Sequence, residues 1–146
     1  MLFTSFDIKI NSDTLTDREF NKILSPDVQS IDISGCKMLT SESMLNIHYV
    51  CLKLRYLNLD GCTGITANDI MCVIGRCKYL EKIVLDSSHI SDCLMGTISV
   101  YATNLICLIK TYENDAIVYK RVFRDSKHQD DQRKILTNYL KCKCDR

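Results

Sequence analysis

The chain matches itself at a spacing of 26 residues, and that spacing restricts its fold more than any other feature. Val28–Cys36, VQSIDISGC, falls on Leu54–Cys62, LRYLNLDGC, and Leu80–Leu85, LEKIVL, opens a third copy. Within each copy the apolar residues first alternate: Ile31 with Ile33, Leu57 with Leu59, and Ile83 with Leu85. That period of two is the mark of a strand with one buried face. The next residues pair an apolar position with a hydroxyl, as Leu39-Thr40, Ile65-Thr66 and Ile90-Ser91. Threonine and serine suit a helix N-cap because their oxygen accepts an otherwise orphaned backbone N–H. The third pair comes one residue early, since the turn Asp86-Ser87-Ser88 is shorter and lacks a cysteine. Helical spacing follows, with apolar faces at Met44, Ile47 and Cys51; at Ile70, Val73 or Ile74, and Cys77; and at Met95, Ile98 and Ala102.

Each unit therefore reads as strand, turn and helix. One such unit cannot bury both its apolar faces, whereas stacked copies share a continuous core. A degenerate unit precedes the regular ones: Ile8 and Ile10 alternate, Leu15-Thr16 repeats the cap signal, and Phe20, Ile23 and Leu24 supply a helical face. Ser25-Pro26 is expected to end that helix, because the residue before proline is driven from the helical region. At the far end two registers remain open. Leu105 and Leu108 continue the pattern at a spacing of 25 and put Lys110 in the next core slot; a slip of one residue uses Ile106, Ile109 and Thr111.

These residues resemble the cysteine-containing leucine-rich repeats of F-box proteins and of the antagonist-of-mitotic-exit family. Cys36 and Cys62 stand at the first cysteine position of that pattern and Cys51 and Cys77 at the second, while Leu39-Thr40 and Ile65-Thr66 match its loop exit. The third copy departs, with Ser88 near the first cysteine position and Ala102 at the second. The resemblance implies an α/β fold: a short right-handed leucine-rich-repeat solenoid with parallel strands on its concave face and helices outside. It also implies a protein-binding scaffold like the substrate-recognition part of a cullin-based ubiquitin ligase adaptor. The alternative is a regulatory or assembly protein that occupies a partner surface without a ligase. The segment before Val28 looks too short for an F-box, which weakens the expectation of a contact with the ligase's linker subunit.

If the Ile and Leu pairs face the core, their neighbours face outward: Ser30, Asp32 and Ser34; Tyr56, Asn58 and Asp60; Lys82, Val84 and Asp86. These nine are the expected partner-binding residues. Tyr56 is the aromatic anchor of the set, and Asp32, Asp60 and Asp86 form a mildly acidic strip suited to a basic segment of a protein partner.

Other classes find little support. The 19 Lys and Arg nearly balance 18 Asp and Glu, for a net charge of +1, so no overall basic surplus points to nucleic acid or an anionic membrane. No run of ~18 apolar residues suggests a membrane span, and Asp7 and Lys9 interrupt the opening segment too early for a secretory signal. Nine cysteines without such a signal read as reduced core residues of a cytoplasmic or nuclear protein. No phosphate loop, HExxH or G-x-S-x-G sequence is present, so no enzyme and no cofactor are expected. Cys142 and Cys144 form a CxC with only His128 nearby, too few ligands for structural zinc. The expected division is a repeat domain over 1–114 and a basic cap or interaction tail over 115–146. In that tail Ile117, Val118, Val122 and Phe123 suggest a strand, and Ile135, Leu136, Tyr139 and Leu140 an amphipathic helix.

Overall fold

The computed structural model describes residues 7–101, 105–113 and 116–122. Its strands are β1 (Asp7–Lys9), β2 (Ser30–Asp32), β3 (Tyr56–Asn58), β4 (Lys82–Asp86), β5 (Ile106–Glu113) and β6 (Ala116–Val122). Between the first five lie α1 (Asp17–Asn21), α2 (Ser41–Val50), α3 (Ala67–Arg76) and α4 (Asp92–Tyr101). The strands form one sheet in chain order, parallel from β1 to β5 and antiparallel between β5 and β6. The described elements are thus a small α/β stack of repeating units closed on one side by a hairpin.

The 26-residue spacing is the pairing register itself, with Ile31 opposite Leu57 and Leu57 opposite Ile83. Backbone bonds extend the ladder past the short strands: Ile33 N–H donates to the Asn58 carbonyl, Leu59 N–H to Val84 and Gly35 N–H to Asp60. Ile31, Ile33, Leu57, Leu59, Ile83 and Leu85 are all fully buried, and they share one core with Met44, Ile47, Ile70, Val73 and both Leu54 and Leu80. Fully burying a side chain of this kind is worth ~1.5–3 kcal/mol, so six identical positions on one sheet face dominate the choice of register. Gly35 and Gly61 follow the strands with φ of 79° and 76°. A side chain would be strained there, and a Cβ on Gly61 would lie 3.3 Å from the Gly35 backbone.

The helix starts follow the hydroxyl signals. The Thr40 oxygen accepts from Glu42 N–H, and Thr66 forms a capping box with Asp69. Thr16 does the same with Glu19 on α1, and the Ser91 hydroxyl accepts from Leu94 N–H at 3.1 Å. Adjacent helix starts are tied together as well. Asp17 accepts from Thr40 N–H at 2.9 Å and Thr40 Oγ1 at 2.7 Å, and Ser41 Oγ donates to Asp69 at 2.8 Å.

Three expectations are corrected. α1 ends at Asn21, ahead of Ser25-Pro26, so Ile23 lies beyond it and is exposed; only Phe20 of that expected face is fully buried. At the far end neither register is realised. Ile83 pairs with Cys107 and Leu85 with Ile109, so Leu105, Cys107 and Ile109 are the buried set. Lys110 therefore leaves the core slot and pairs beside Asp86. The cause is a unit shorter by one further residue between Leu105 and its strand. Third, both Val73 and Ile74 of α3 are buried, so the two candidates share the slot. The strand expected near Ile117 and Val118 exists as β6. Ala102, Phe123, the tail helix, His128 and the Cys142–Cys144 pair lie outside the described residues.

Candidate functional site

The sheet has two faces, and alternation decides what each carries. The Ile and Leu face packs under the helices; the opposite face carries the expected partner-binding residues in rows fixed by strand register. One row runs Asp7, Ser30, Tyr56, Lys82 and Ile106, and the next Lys9, Asp32, Asn58, Val84 and Leu108. Ser30, Asp32, Ser34, Tyr56, Asn58, Asp60, Lys82 and Asp86 are all half-buried. Val84 is corrected: it is 3% exposed, so it belongs to the packing of this face and is not an accessible contact. Alternation gives the direction of a side chain but not what covers it. Here two further strands, β5 and β6, continue the sheet beside β4.

The carboxylates of this face are already in use. Asp32 Oδ1 accepts from Ser34 N–H at 3.1 Å, and Asn58 Oδ1 accepts from Asp60 N–H at 3.0 Å. Both bonds close the turn two residues on, a local habit of Asp and Asn, and their positions differ by the repeat of 26. Asp60 is ion-paired to Lys110 Nζ at 2.8 Å, with the two side chains 13% and 17% exposed. Asp86 accepts from Gly61 N–H at 2.6 Å and from Ser88 N–H at 2.8 Å. Partial burial opposes ionisation of Asp86, but the hydrogen bonds from Ser88 and from the Gly61 N–H outweigh it and hold the carboxyl below the usual aspartate value. The acidic strip is thus largely engaged in holding turns and strands.

Aromatic, amide and cationic groups of the face meet around Tyr56. Asn58 Nδ2 donates to its hydroxyl at 3.3 Å, and Lys82 Nζ stands 5.6 Å from its ring centroid. An aromatic body with an adjacent cation can contribute to binding through apolar contact, stacking and a hydrogen bond. Ile106, Leu108 and Lys110 also border this face and were missed from sequence, because the break in spacing after Leu105 hides their register.

The cysteines are core residues with a further task. Cys36 Sγ donates to the Ile10 carbonyl at 3.4 Å and Cys62 Sγ to Ile33 at 3.0 Å. Cys51 reaches the Ser25 carbonyl and Cys77 the Cys51 carbonyl, at 3.6 and 3.5 Å. Burial pushes the Cys51 and Cys62 thiols up to about 12 and Cys77 to about 11, which keeps them protonated and poor nucleophiles. In the third turn, which lacks the cysteine, a corresponding bond is made by His89. It lies in a single 3-10 turn (Ser87–His89), fully buried, with Nε2 2.9 Å from the Cys62 carbonyl and Nδ1 accepting from Asp86 N–H at 3.3 Å. A ring nitrogen facing a carbonyl must donate, so His89 carries its proton on Nε2. Its role is structural. Among the described residues, no group of three or more His, Cys, Asp or Glu is placed to hold a metal ion. No described helix is long and apolar enough to cross a membrane.

No family model matches the chain. It is similar to F-box/LRR-repeat protein 12 of Arabidopsis thaliana, with 28% identity over 85 residues. The match covers 58% of this chain but only 22% of that relative's length. Such a partial match supports a distant leucine-rich-repeat relationship. With the α/β stack and its polar sheet face, it agrees with a protein-binding scaffold in general.

Proposed function

We propose that the chain is a right-handed, curved repeat solenoid that binds a protein partner noncovalently on the sheet face opposite its helices. The observation that carries the reading is the register, which places Tyr56 and Lys82 side by side on a face that no described helix covers. The hand rests on the strong preference of parallel strand-helix-strand units for right-handed connections. In the finer reading the solenoid serves as the substrate-recognition part of a cullin-based ubiquitin ligase adaptor, with transfer chemistry performed by other subunits. A second reading is a regulatory or assembly protein that blocks a partner surface without a ligase. Both readings set the protein in the cytoplasm or nucleus.

Affinity capture with the full chain under reducing conditions separates them. Recovery of a cullin with its linker subunit supports the adaptor, and a stable unrelated partner supports the second reading. In either case a Tyr56→Ala and Lys82→Ala variant should fold normally and bind that partner with a loss above ~2 kcal/mol. Asn68→Ala, on the exposed start of α3, should bind as the parent does. The outer-face assignment is lost if the folded double variant keeps full affinity.

A further inference from the structure

A second surface lies where each helix gives way to the next strand, and it is independent of the outer sheet face. The repeat of 26 superposes Ile23 on Tyr49, Pro26 on Leu52 and Lys78, and Asp27 on Lys53 and Tyr79. Equivalent positions of consecutive units sit side by side, because the strands they lead into pair at that same spacing. Among the described residues, Ile23, Tyr49, Leu52 and Tyr79 account for four of the six large exposed hydrophobic side chains. A fifth, Leu45, lies one helical turn before Tyr49. Tyr49 and Tyr79 are 60% and 65% exposed. Gly75, the equivalent of Tyr49 in the next unit, carries no side chain, and a Cβ placed there would meet nothing within 4 Å.

The same loops carry an excess of positive charge. Asp27 pairs with Lys53 at 3.2 Å and Glu81 with Arg55 at 3.8 Å. No carboxylate is paired with Lys22, Arg76 or Lys78 among the described residues, although the whole chain has a net charge of only +1. Cations at helix ends offset the negative pole of the backbone dipole, which accounts for Lys22 and Arg76. It does not account for a tyrosine and a leucine held outside the core beside them. Arg76 lies 5.8 Å from the Tyr49 ring centroid. Stacking of this kind holds a guanidinium in place while leaving its N–H groups free to grip a carboxylate.

We infer that this helix-to-strand edge is a docking site for a protein segment that combines acidic side chains with aliphatic or aromatic ones. Carboxylates of the segment meet Arg76 and Lys78, and its apolar residues cover Tyr49, Leu52 and Tyr79. Charge complementarity selects an acidic occupant, and the apolar strip selects a peptide over a purely ionic ligand.

The test is selection of a random dodecapeptide display library on the full chain under reducing conditions, followed by affinity measurement of the enriched peptides. The expected peptides are rich in Asp and Glu and carry at least one Leu, Phe or Tyr. Their affinity should fall about tenfold in Tyr79→Ser with Lys78→Glu, a change of about 1.4 kcal/mol, and should weaken with added salt. All the altered side chains are exposed, and Lys78→Glu alone provides the same test if the pair disturbs folding by circular dichroism. The Tyr56→Ala and Lys82→Ala variant should bind these peptides as the parent does, which separates this site from the outer sheet face. Basic or uncharged peptides, acidic ones insensitive to the edge variants, or no enrichment would each overturn the inference. So would edge-dependent binding of anionic vesicles or duplex DNA in place of peptide.

Discussion

Cys62 stands between two units, with its side chain in the core and its sulfur donating to the Ile33 carbonyl across 3.0 Å. A thiol fits there because it is small, apolar and still a weak donor. The same placement makes stability depend on alkaline pH. Unfolded thiols ionise near 9, whereas folded Cys51 and Cys62 hold their protons up to about 12. The folded state therefore binds more protons in that interval, so this contribution is intact below the unfolded value and is lost as pH rises from about 9 toward 12. The urea midpoint should drop between about pH 8 and pH 10.5, and the drop should be smaller in Cys62→Ala. Equal midpoints at the two pH values would refute the burial argument. Thiol labelling of the native chain should be fast at exposed Cys72 and Cys93 and slow at Cys36, Cys51, Cys62 and Cys77. Leu57 offers the packing counterpart: it is fully buried between equivalent residues of two neighbouring strands, so Leu57→Ala should cost ~2–5 kcal/mol by chemical denaturation.

At the scale of elements, each helix begins where a hydroxyl accepts the first free N–H groups, and α3 has the fullest version. Thr66 Oγ1 accepts from Asp69 N–H at 3.3 Å, and Asp69 Oδ2 accepts from Thr66 N–H at 2.9 Å. Thr66→Ala should destabilise by about 0.5–2 kcal/mol, with Thr66→Ser recovering most of it; equal losses in the two variants would exclude the cap. Thr66, like Ile31 or Leu57, was legible because its signal is local and repeats. Where the repeat falters, legibility stops. An apolar pattern with a proline stop at Ser25-Pro26 places the end of α1 too late, since the helix ends at Asn21 and Ile23 has already turned outward. The β5 register failed because a single missing residue exchanges the two faces of a strand, moving Lys110 from the core to the surface row. Val84 differs: alternation gives the direction of its side chain but not its burial, and it is 3% exposed. The engagement of the acidic strip was not legible either, because sequence shows a carboxylate without showing which N–H or ammonium group it already holds. The helix-to-strand edge went unread for a related reason, since its tyrosines and cations belong to three different units and meet only once those units are stacked.

For the whole molecule, stacked repeats are expected to be held chiefly by nearest-neighbour contacts, so that units at the ends open first. The Lys110–Asp60 pair departs from that rule. β5 is bonded to β4, and β4 to β3, yet Lys110 on β5 reaches Asp60, just past β3, at 2.8 Å. The two side chains and the bond between them therefore bridge two strand spacings together, roughly 9.5 Å. With both side chains largely sheltered from water, loss of either partner leaves a poorly solvated charge. The pair should accordingly bind the final unit to the regular ones more firmly than its ladder alone. Lys110→Met and Asp60→Asn should each destabilise the fold, and the double variant should cost less than their sum by about 0.5–3 kcal/mol. Native-state hydrogen exchange gives the spatial readout. In Lys110→Met, amides of β5 should exchange faster while those of β2 stay protected, because the second-neighbour tie is gone and only the ladder to β4 remains. Strictly additive energies, or equal acceleration in β2 and β5, would mean that the ion pair does not couple the last unit to the stack.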